Sequence, residues 1–593
     1  MSEMRIGGRA LCVCWIIGIG LQCLLAAVAF AGSTERTALR AGQLLDGQPL
    51  DAPVAAQAFA PLQPDDVAAA HFEGWLALDV EAGEYAMRVL RDDNRYAADK
   101  ARRVGELPAF RFRLLTVGED LVPVQRGPVR GAHPHWEWVL EPGRVWREAG
   151  DRGYSRAALP FSLQQRGENC VHNGLLSFLY REDGTISDVA LQIASETCLY
   201  FKFDLWGRLP AHYTPRSLAQ AESVAGAHRR WLAARLPVKP VEQLERDYPG
   251  ADAAVFSGAP ALAPADMTAY GLVLDGVHYL GGCQTRFGPH PYCQSLNLPS
   301  YSLAKSLVAG LGLMRLEKLF PGVAALPLER YVPACRETGR WTATSFLHAL
   351  DMATGLYDSP TYNDDEAALQ KEDAFFAPTE HAAKIDFACT RYPRQVAPGE
   401  RWVYHTSDTY LLGTAMNAFL AREAGPGVDL HRDILLPWWE PLHLSATSRH
   451  TRRTYDSVAQ PFTGYGLTLL PDDIARLASF ILSPGIRDEV DGTMLAAALQ
   501  RDPAQPGLQA MNRRFRYQHG FWALVDFQPA GCEAPMALPF MLGYGGINVV
   551  LLPNQTVYYY FSDGGRFSWA DAARESSRLK SFCPAVEESS HER

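Results

Sequence analysis

The sequence predicts an α+β protein in which a β-rich N-terminal part precedes a second part that mixes helices with strands. Three observations support this prediction. The chain has 593 residues, which is too long for one ordinary hydrophobic core. Strand-like runs of alternating apolar and polar residues fill much of its first third, and helix-length segments separate the strand-like runs that follow. We therefore expect at least two domains.

The composition is that of a globular protein. Hydrophobic residues make up 47% of the chain, charged residues make up 21%, and the formal net charge is −10. Nucleic acids and anionic membranes are bound through basic surfaces, so this charge argues against both partners.

The N-terminus resembles a secretory signal peptide over residues 1–31. Arg5 and Arg9 precede an apolar stretch from Leu11 to Val28, and Ala29-Phe-Ala31 provides a small-residue cleavage site. The pattern predicts export to the periplasm or the medium. A membrane anchor is the alternative, because the apolar stretch is close to the length that spans a bilayer.

The cysteine content indicates disulfide bonds. Three of the 11 cysteines lie within the predicted signal, which leaves an even set, as is typical of an exported protein. Pairing neighbours in the sequence would give Cys170–Cys198, Cys283–Cys293, Cys335–Cys389 and Cys532–Cys583. Spacing alone leaves the connectivity open, and the absence of a Cys-x-x-Cys pair argues against zinc-ribbon or thioredoxin-like chemistry.

Residues 32–210 are predicted to form a β-rich domain, an antiparallel sandwich or barrel. Its strand-like runs are residues 75–80, 110–115, 136–140, 175–180 and 199–204. Residues 211–245 form a predicted helical linker, with a helix over about 215–235. Leu236-Pro-Val-Lys-Pro-Val241 then reads as a stiff connection to the second domain.

The second domain is predicted over residues 246–593. A hairpin turning at Asp275-Gly276 opens it, and two strands at 548–552 and 556–561 close it. Helices are predicted at 302–318, 341–352, 406–423 and 471–484.

Ser302 and Lys305 are the first candidate catalytic residues. A lysine three residues after a serine at the start of a helix lies on the same face and is able to take the serine's proton. A lysine acts as a base only when burial lowers its pKa, and the apolar run Leu307–Leu311 predicts such burial. The same spacing recurs at Ser577 and Lys580, where we predict a surface helix with no catalytic role.

Two later segments accompany the Ser302 pair. Pro398-Gly-Glu-Arg-Trp-Val-Tyr404 precedes a helix, and Gly543-Tyr-Gly-Gly-Ile547 opens the closing hairpin. In order and spacing these motifs resemble the serine β-lactamase and penicillin-binding superfamily over about residues 240–585. The nearest members are class C β-lactamases, related esterases and 6-aminohexanoate-dimer hydrolases. The resemblance implies a β-lactamase/transpeptidase-like domain, with an antiparallel sheet flanked by helices and a helical subdomain.

The resemblance also implies roles for individual residues. Ser302 would be the acylated nucleophile, Lys305 its base and Tyr404 a proton shuttle. The backbone amides of Ser302 and Ile547 would form the oxyanion hole. We further expect Tyr404, near two cations, to ionise below its ordinary pKa of about 10.

The substrate-binding positions depart from the pattern. Thr406 stands where class C enzymes carry asparagine, and Tyr544, before Gly545 and Gly546, replaces the usual cation of the third motif. Both changes weaken the case for a β-lactam, which presents a carboxylate. An alternative register assigns the proton shuttle to Ser407.

Other candidate sites are weaker. His133 and His135 could contribute to a metal site, although two histidines without a third ligand more often lie in an exposed loop. Trp136 and Trp138 could form a sugar platform, but a place in a β-sheet core is the better interpretation.

We therefore predict an exported serine hydrolase that forms an acyl-enzyme with a small or peptide-like ester or amide, without a metal or organic cofactor. A penicillin-binding D,D-peptidase or β-lactamase is one alternative, and a ligand-binding protein with a degraded hydrolase domain is another. The N-terminal domain could bind cell wall, cover the active site or mediate assembly.

Overall fold

The computed structural model describes residues 36–62, 69–80 and 87–583, so the predicted signal peptide lies outside the described residues. The described residues belong to one compact unit. Its N-terminal part is a sheet built from β1 (Glu73–Leu78), β2 (Arg88–Asp92), β3 (Phe110–Val117), β4 (Asp120–Pro123), β5 (Trp136–Leu140), β6 (Gly143–Trp146), β7 (Ser155–Gln165), β8 (Val171–Tyr180), β9 (Val189–Thr197), β10 (Phe203–Leu209) and β11 (Ala211–Pro215).

This N-terminal sheet is 11-stranded and antiparallel, in the order β11-β1-β3-β4-β6-β7-β8-β9-β10-β2, with β5 paired to β7. It curls so that distant strands share one core: the ring of Phe72, just before β1, lies 5.1 Å from that of Tyr180 on β8. Trp136 and Trp138 are fully buried in this core, as their alternating spacing favours, and do not form a surface platform.

Four of the five predicted N-terminal strands coincide with β1, β3, β5 and β8. The fifth prediction was wrong at its start, since residues 199–202 form a loop and β10 begins at Phe203. Lys202 forms an ion pair there with Asp563, which directly follows the last strand of the second sheet. The loop therefore makes contacts between the sheets that a strand pattern does not reveal.

The connection between the sheets is α2 (Ala221–Ala234) followed by a strand. Leu236–Val241 is not only a spacer, because β12 (Val238–Pro240) pairs in parallel with the second sheet. The remaining strands are β13 (Met267–Leu274), β14 (Val277–Gly282), β15 (Gln284–Thr285), β16 (Gly288–Pro289), β17 (Leu298–Pro299), β18 (Thr468–Leu469), β19 (Leu508–Gln509), β20 (Phe515–Gln518), β21 (Phe521–Phe527), β22 (Met536–Gly543), β23 (Ile547–Leu552) and β24 (Thr556–Ser562).

The second sheet is nine-stranded, in the order β12-β14-β13-β24-β23-β22-β21-β20-β19, and is antiparallel apart from the β12–β14 pair. The predicted hairpin at Asp275-Gly276 is confirmed by β13 and β14, and the two predicted closing strands by β23 and β24. β17, which lies just before Ser302 in the sequence, pairs with β18 in a separate two-stranded ladder.

Two helices, α1 (Ala41–Leu45) and α2, pack against the N-terminal sheet. The other helices pack on the second sheet or form a separate layer beside it. They are α3 (Leu244–Asp247), α4 (Leu311–Leu319), α5 (Pro333–Glu337), α6 (Phe346–Leu350), α7 (Leu369–Lys371), α8 (His381–Thr390), α9 (Thr406–Glu423), α10 (Leu436–Trp439), α11 (Pro471–Leu482), α12 (Ile486–Glu489), α13 (Gly492–Ala498) and α14 (Ala570–Leu579). A π-helix over Lys305–Gly310 leads into α4. The fold is thus α+β, with an antiparallel sheet flanked by helices.

Four disulfides join Cys170 to Cys198, Cys283 to Cys293, Cys335 to Cys389 and Cys532 to Cys583. Each cysteine pairs with its neighbour in the sequence. Such a set suggests an oxidising, exported environment. Within the described ranges, no helix is both long and apolar enough to cross a membrane.

Candidate active site

Ser302 lies at the start of the helix that continues through the π-helical turn into α4. Leu303 and Ala304, the first two helical residues, are fully buried and fix the helix in the core. The residue before the serine, Tyr301, has a φ of 40°, in the left-handed region that a side chain other than glycine disfavours. The chain therefore turns sharply just before the hydroxyl, which remains partly exposed.

Lys305 lies beside the serine, as its spacing predicts. Its ammonium Nζ donates hydrogen bonds to Ser302 Oγ at 2.9 Å, Thr406 Oγ1 at 2.8 Å and the Gly464 carbonyl at 3.2 Å. The side chain is only 2% exposed, and burial lowers the pKa of Lys305 to about 7. A substantial fraction of this lysine is therefore neutral near pH 7 and able to accept a proton.

A buried ion pair between Glu366 and Lys371, close to Lys305, was not predicted from the sequence. The carboxylate of Glu366 lies 2.7 Å from Nζ of Lys371 and accepts hydrogen bonds from the backbone N–H of Thr406, at 2.9 Å, and from its hydroxyl. Burial alone would raise the pKa of Glu366, but the ammonium groups of Lys371 and Lys305 lower it to about 2. Glu366 is therefore an anion that acts on Lys305 through Thr406.

Tyr404 reaches the nucleophile from the second motif. Its hydroxyl donates a hydrogen bond to Ser302 Oγ at 2.7 Å, and the Trp402, Tyr362 and Trp522 rings lie around its own ring at centroid distances of 6.0, 6.1 and 6.1 Å. The expectation of early ionisation was wrong. Burial, with the nearby Glu366 carboxylate, raises the pKa of Tyr404 well above its ordinary value, so its phenol is a proton donor.

Thr406 and Ser407 do not have the roles considered for them. The hydroxyl of Thr406 accepts from Lys305 and donates to Glu366, so its one proton is already used and it is not free to donate to substrate. Ser407 Oγ is buried and has no hydrogen-bond partner in the described part of the chain. The hydroxyl of Ser302 instead accepts hydrogen bonds from Lys305 and Tyr404, which favours Tyr404 over Ser407 as the proton shuttle.

The glycine motif forms the turn from β22 to β23, next to the nucleophile. A Cβ on Gly543 would lie 3.0 Å from the Ser300 carbonyl, and the Tyr544 ring lies 5.6 Å from that of Tyr301. Gly545 and Gly546 have φ values of 87° and 114°, which glycine adopts readily. Tyr544 is 47% exposed, so the motif presents an aromatic side chain where the resemblance would place a cation.

The oxyanion-hole expectation for Ile547 conflicts with the sheet. Ser562 N–H donates to the Gly546 carbonyl, so the alternation of an antiparallel ladder directs the N–H of Ile547 to β22, where its partner is Gly543. The backbone N–H groups of Ser302 and Tyr544 have no acceptor among the residues that the structure describes. The same holds for Gly545 and Gly546, so the turn over residues 544–546, rather than Ile547, offers the second donor.

Two glycines let the β20–β21 turn approach the catalytic helix. A Cβ on Gly520 would lie 2.8 Å from the Lys305 carbonyl, and one on Gly310 would lie 2.8 Å from the His519 carbonyl. Ser306 Oγ also donates to the Gly520 carbonyl at 2.6 Å. The helix that carries Lys305 is thus packed directly against this turn.

The rival histidine site is structural. His133 Nδ1 accepts hydrogen bonds from the backbone N–H groups of His135 and Trp136 at 3.1 and 2.9 Å. Both histidines are buried, not exposed as expected, and burial lowers the pKa of His133 to about 4 and that of His135 to about 3. Over the described ranges, no group of three His, Cys, Asp or Glu residues could hold a metal ion.

The second Ser-x-x-Lys match also proves to be structural. Ser577 is buried, contrary to the surface prediction, and its hydroxyl donates to the Arg574 carbonyl at 2.8 Å and accepts from Ala530 N–H at 2.8 Å. Lys580 turns away to Asp275 at 2.8 Å. The serine and the lysine are thus occupied by different partners.

No protein-family model and no curated protein matches this sequence. Solved structures do match at low identity. A 6-aminohexanoate-dimer hydrolase from Bacillus anthracis is 14% identical with a TM-score of 0.39, over 57% of this chain and 80% of the other. A penicillin-binding protein homologue from Caulobacter crescentus is 16% identical with a TM-score of 0.36, and the match covers 52% of this chain and 92% of the other. EstCE1, a hydrolase with promiscuous acyltransferase activity, is 13% identical with a TM-score of 0.38, and the match covers 60% of this chain and 97% of the other.

A 6-aminohexanoate-dimer hydrolase and a penicillin-binding protein homologue are both kinds of protein that the sequence motifs resemble. Identities and TM-scores this low say nothing about activity.

Proposed function

We propose that this protein is a serine hydrolase that cleaves an ester or amide through an acyl-enzyme on Ser302. The observation that carries this proposal is the arrangement at Ser302 Oγ: a buried lysine with a pKa of about 7 at 2.9 Å and a tyrosine hydroxyl at 2.7 Å. A serine hydroxyl needs an adjacent base to become nucleophilic, and Lys305 meets both the distance and the pKa that this role requires.

In the acylation step, neutral Lys305 takes the proton of Ser302 as Oγ attacks the substrate carbonyl carbon. The oxyanion that forms would be bound by the N–H of Ser302 and by an N–H of the turn over residues 544–546, groups that have no other acceptor in the described part of the chain. When the tetrahedral intermediate collapses, the bond to the leaving group breaks. The leaving oxygen or nitrogen then receives a proton from the Tyr404 phenol, which Lys305 reprotonates.

Deacylation reverses the same proton transfers. Water gives a proton to Lys305 as its oxygen attacks the acyl carbon, and the collapse of the second tetrahedral intermediate returns a proton to Ser302 Oγ. Glu366 would keep its charge throughout, because its pKa of about 2 lies far below neutrality. It holds Thr406 and thereby the ammonium form of Lys305 in position.

We propose that the substrate is an ester or amide without an obligatory carboxylate. Tyr544 offers a partly exposed aromatic ring at the motif position where a cation would bind such a group. Its neighbours are the rings of Tyr301, at 5.6 Å, and Tyr200, at 6.3 Å, so the wall here is aromatic. We also propose that the protein acts outside the cytoplasm, which the four disulfides support.

A fluorophosphonate probe tests the proposal on the full-length protein. We expect the wild type and Ser577→Ala to be labelled and to hydrolyse p-nitrophenyl butyrate, and Ser302→Ala to do neither. Mass spectrometry should place the label on Ser302. Turnover by Ser302→Ala equal to that of the wild type, or a label on another residue, would refute the proposal. If penicillin suppressed labelling at concentrations where esters and amides have no effect, a penicillin-binding enzyme would be favoured instead.

A further inference from the structure

Asn169, in the N-terminal part of the chain, contacts the active-site region. It lies in the turn between β7 and β8, next to Cys170, which is joined to Cys198. Its side chain belongs to a residue that is only 1% exposed. A buried amide needs hydrogen-bond partners, and this one finds all of them across the boundary between the two sheets.

The amide forms four hydrogen bonds with two segments. Oδ1 accepts from the backbone N–H groups of Tyr301, at 2.8 Å, and Gly466, at 3.1 Å, and from Ser300 Oγ at 3.3 Å. Nδ2 donates to the Leu467 carbonyl at 3.2 Å. One side chain therefore joins the turn before Ser302 to the strand segment that ends at β18.

Each of these segments carries part of the catalytic arrangement. Tyr301 has the left-handed φ of 40° that turns the chain into Ser302, and a bond to its N–H holds a conformation that is unfavourable by itself. Gly466 is two residues beyond Gly464, whose carbonyl accepts from Lys305 Nζ. Ser302 thus follows directly on a residue that is hydrogen-bonded to Asn169, and the carbonyl that accepts from Lys305 belongs to a residue close to another.

We propose that Asn169 is a positioning residue for the reaction at Ser302, and that the N-terminal sheet is for this reason a required part of the catalytic unit. This inference rests on the proposed function. Asn169 fixes the backbone at Tyr301, directly before Ser302, and at Gly466, close to the Gly464 carbonyl that accepts from Lys305. In this way it sets the distance between Ser302 Oγ and Lys305 Nζ. A displacement of about 1 Å in such a pair is enough to lower a rate by about 100-fold.

Asn173 provides a matched control on the same sheet. Its side chain is also buried, and it exchanges two hydrogen bonds with the backbone of Asn297, donating to the carbonyl and accepting from the N–H at 3.0 Å each. It therefore crosses the same boundary with the same kind of bond. Asn297, however, precedes β17 and lies five residues before Ser302.

The experiment compares Asn169→Ala with Asn173→Ala in the full-length protein. We measure the thermal midpoint, the rate of fluorophosphonate labelling, and kcat and KM for p-nitrophenyl butyrate. Both variants should lower the midpoint, since each leaves buried polar groups unpaired. Only Asn169→Ala should slow labelling and kcat, by about 100-fold, with little change in KM.

A wild-type labelling rate in Asn169→Ala, or an equal loss in Asn173→Ala, would overturn the inference. Failure of the proposed function is a separate result, because the wild-type protein would then not be labelled at all.

Asn169→Asp keeps the test informative if Asn169→Ala does not fold. Aspartate retains the acceptor for Tyr301 and Gly466 and adds a negative charge near Lys305. Because it loses the donor to the Leu467 carbonyl, it should label more slowly than the wild type, and the added charge should move the acid limb of the pH profile of kcat/KM to higher pH. A folded Asn169→Asp with the wild-type profile and the wild-type rate would contradict the assignment.

Discussion

The chain contains the same Ser-x-x-Lys spacing twice, and the two copies have opposite surroundings. At Ser302 and Lys305 the hydroxyl faces the ammonium at 2.9 Å, and the lysine is 2% exposed. At Ser577 and Lys580 the hydroxyl bonds to its own helix backbone, and the ammonium, on a side chain that is 35% exposed, pairs with Asp275.

The difference lies in what desolvates the lysine. Lys305 is buried and hydrogen-bonded to neutral acceptors, with no carboxylate hydrogen-bonded to it directly, so burial lowers its pKa to about 7. Lys580 instead pairs directly with a carboxylate at the surface. Spacing brings a serine and a lysine to one face of a helix, whereas burial without a direct counter-ion makes the lysine a base.

Replacing each lysine by methionine should give the largest contrast. Lys305→Met removes the base and should lower kcat/KM for p-nitrophenyl butyrate by about 10³-fold, since general-base catalysis contributes about 10²–10⁴-fold. Lys580→Met should leave kcat/KM unchanged and lower the thermal midpoint only slightly, because exposed ion pairs contribute little. Comparable losses in the two variants would show that the lysine at 305 is not the base.

Tyr404→Phe and Ser407→Ala test the second motif with a smaller expected effect. Tyr404→Phe removes the donor at 2.7 Å from Ser302 Oγ and should lower kcat by about 100-fold. Ser407→Ala removes a buried hydroxyl that has no partner among the described residues and should leave kcat near the wild-type value. The opposite result in steady-state kinetics would assign the proton shuttle to Ser407.

Replacing either member of the buried Glu366–Lys371 ion pair should change the pH dependence of kcat/KM rather than abolish activity. Lys305 is active when neutral, so kcat/KM should fall as the pH drops below about 7. Glu366→Gln removes a charge that stabilises the ammonium and should move this acid limb to lower pH, whereas Lys371→Met removes a repelling cation and should move it to higher pH. Shifts of about one pH unit are expected. Shifts in the same direction would exclude electrostatic control by this pair.

The sequence predicted the elements that depend on local pattern. Ser302, Lys305 and Tyr404 were found because each lies in a short motif next to a helix, and the helix from Thr406 begins where expected. The ionisation of Tyr404 could not be predicted, because it depends on aromatic packing and on Glu366, which is remote in the sequence.

Residues that act across long sequence separations left no local signal. Glu366 meets Thr406 across 40 residues and Asn169 meets Tyr301 across 132, and neither lies in a motif. The donor role expected for Ile547 likewise depended on which neighbour its N–H faces, and that is set by the register of the whole sheet. Topology, rather than composition, decided these contacts.

The close approach of Gly310 and Gly520 also bears on how substrate enters and leaves. Backbone packed within van der Waals distance of the catalytic helix leaves no room for the β20–β21 turn to swing, so this side of the site is a fixed wall. Any movement that admits substrate or releases product must then involve other parts of the site.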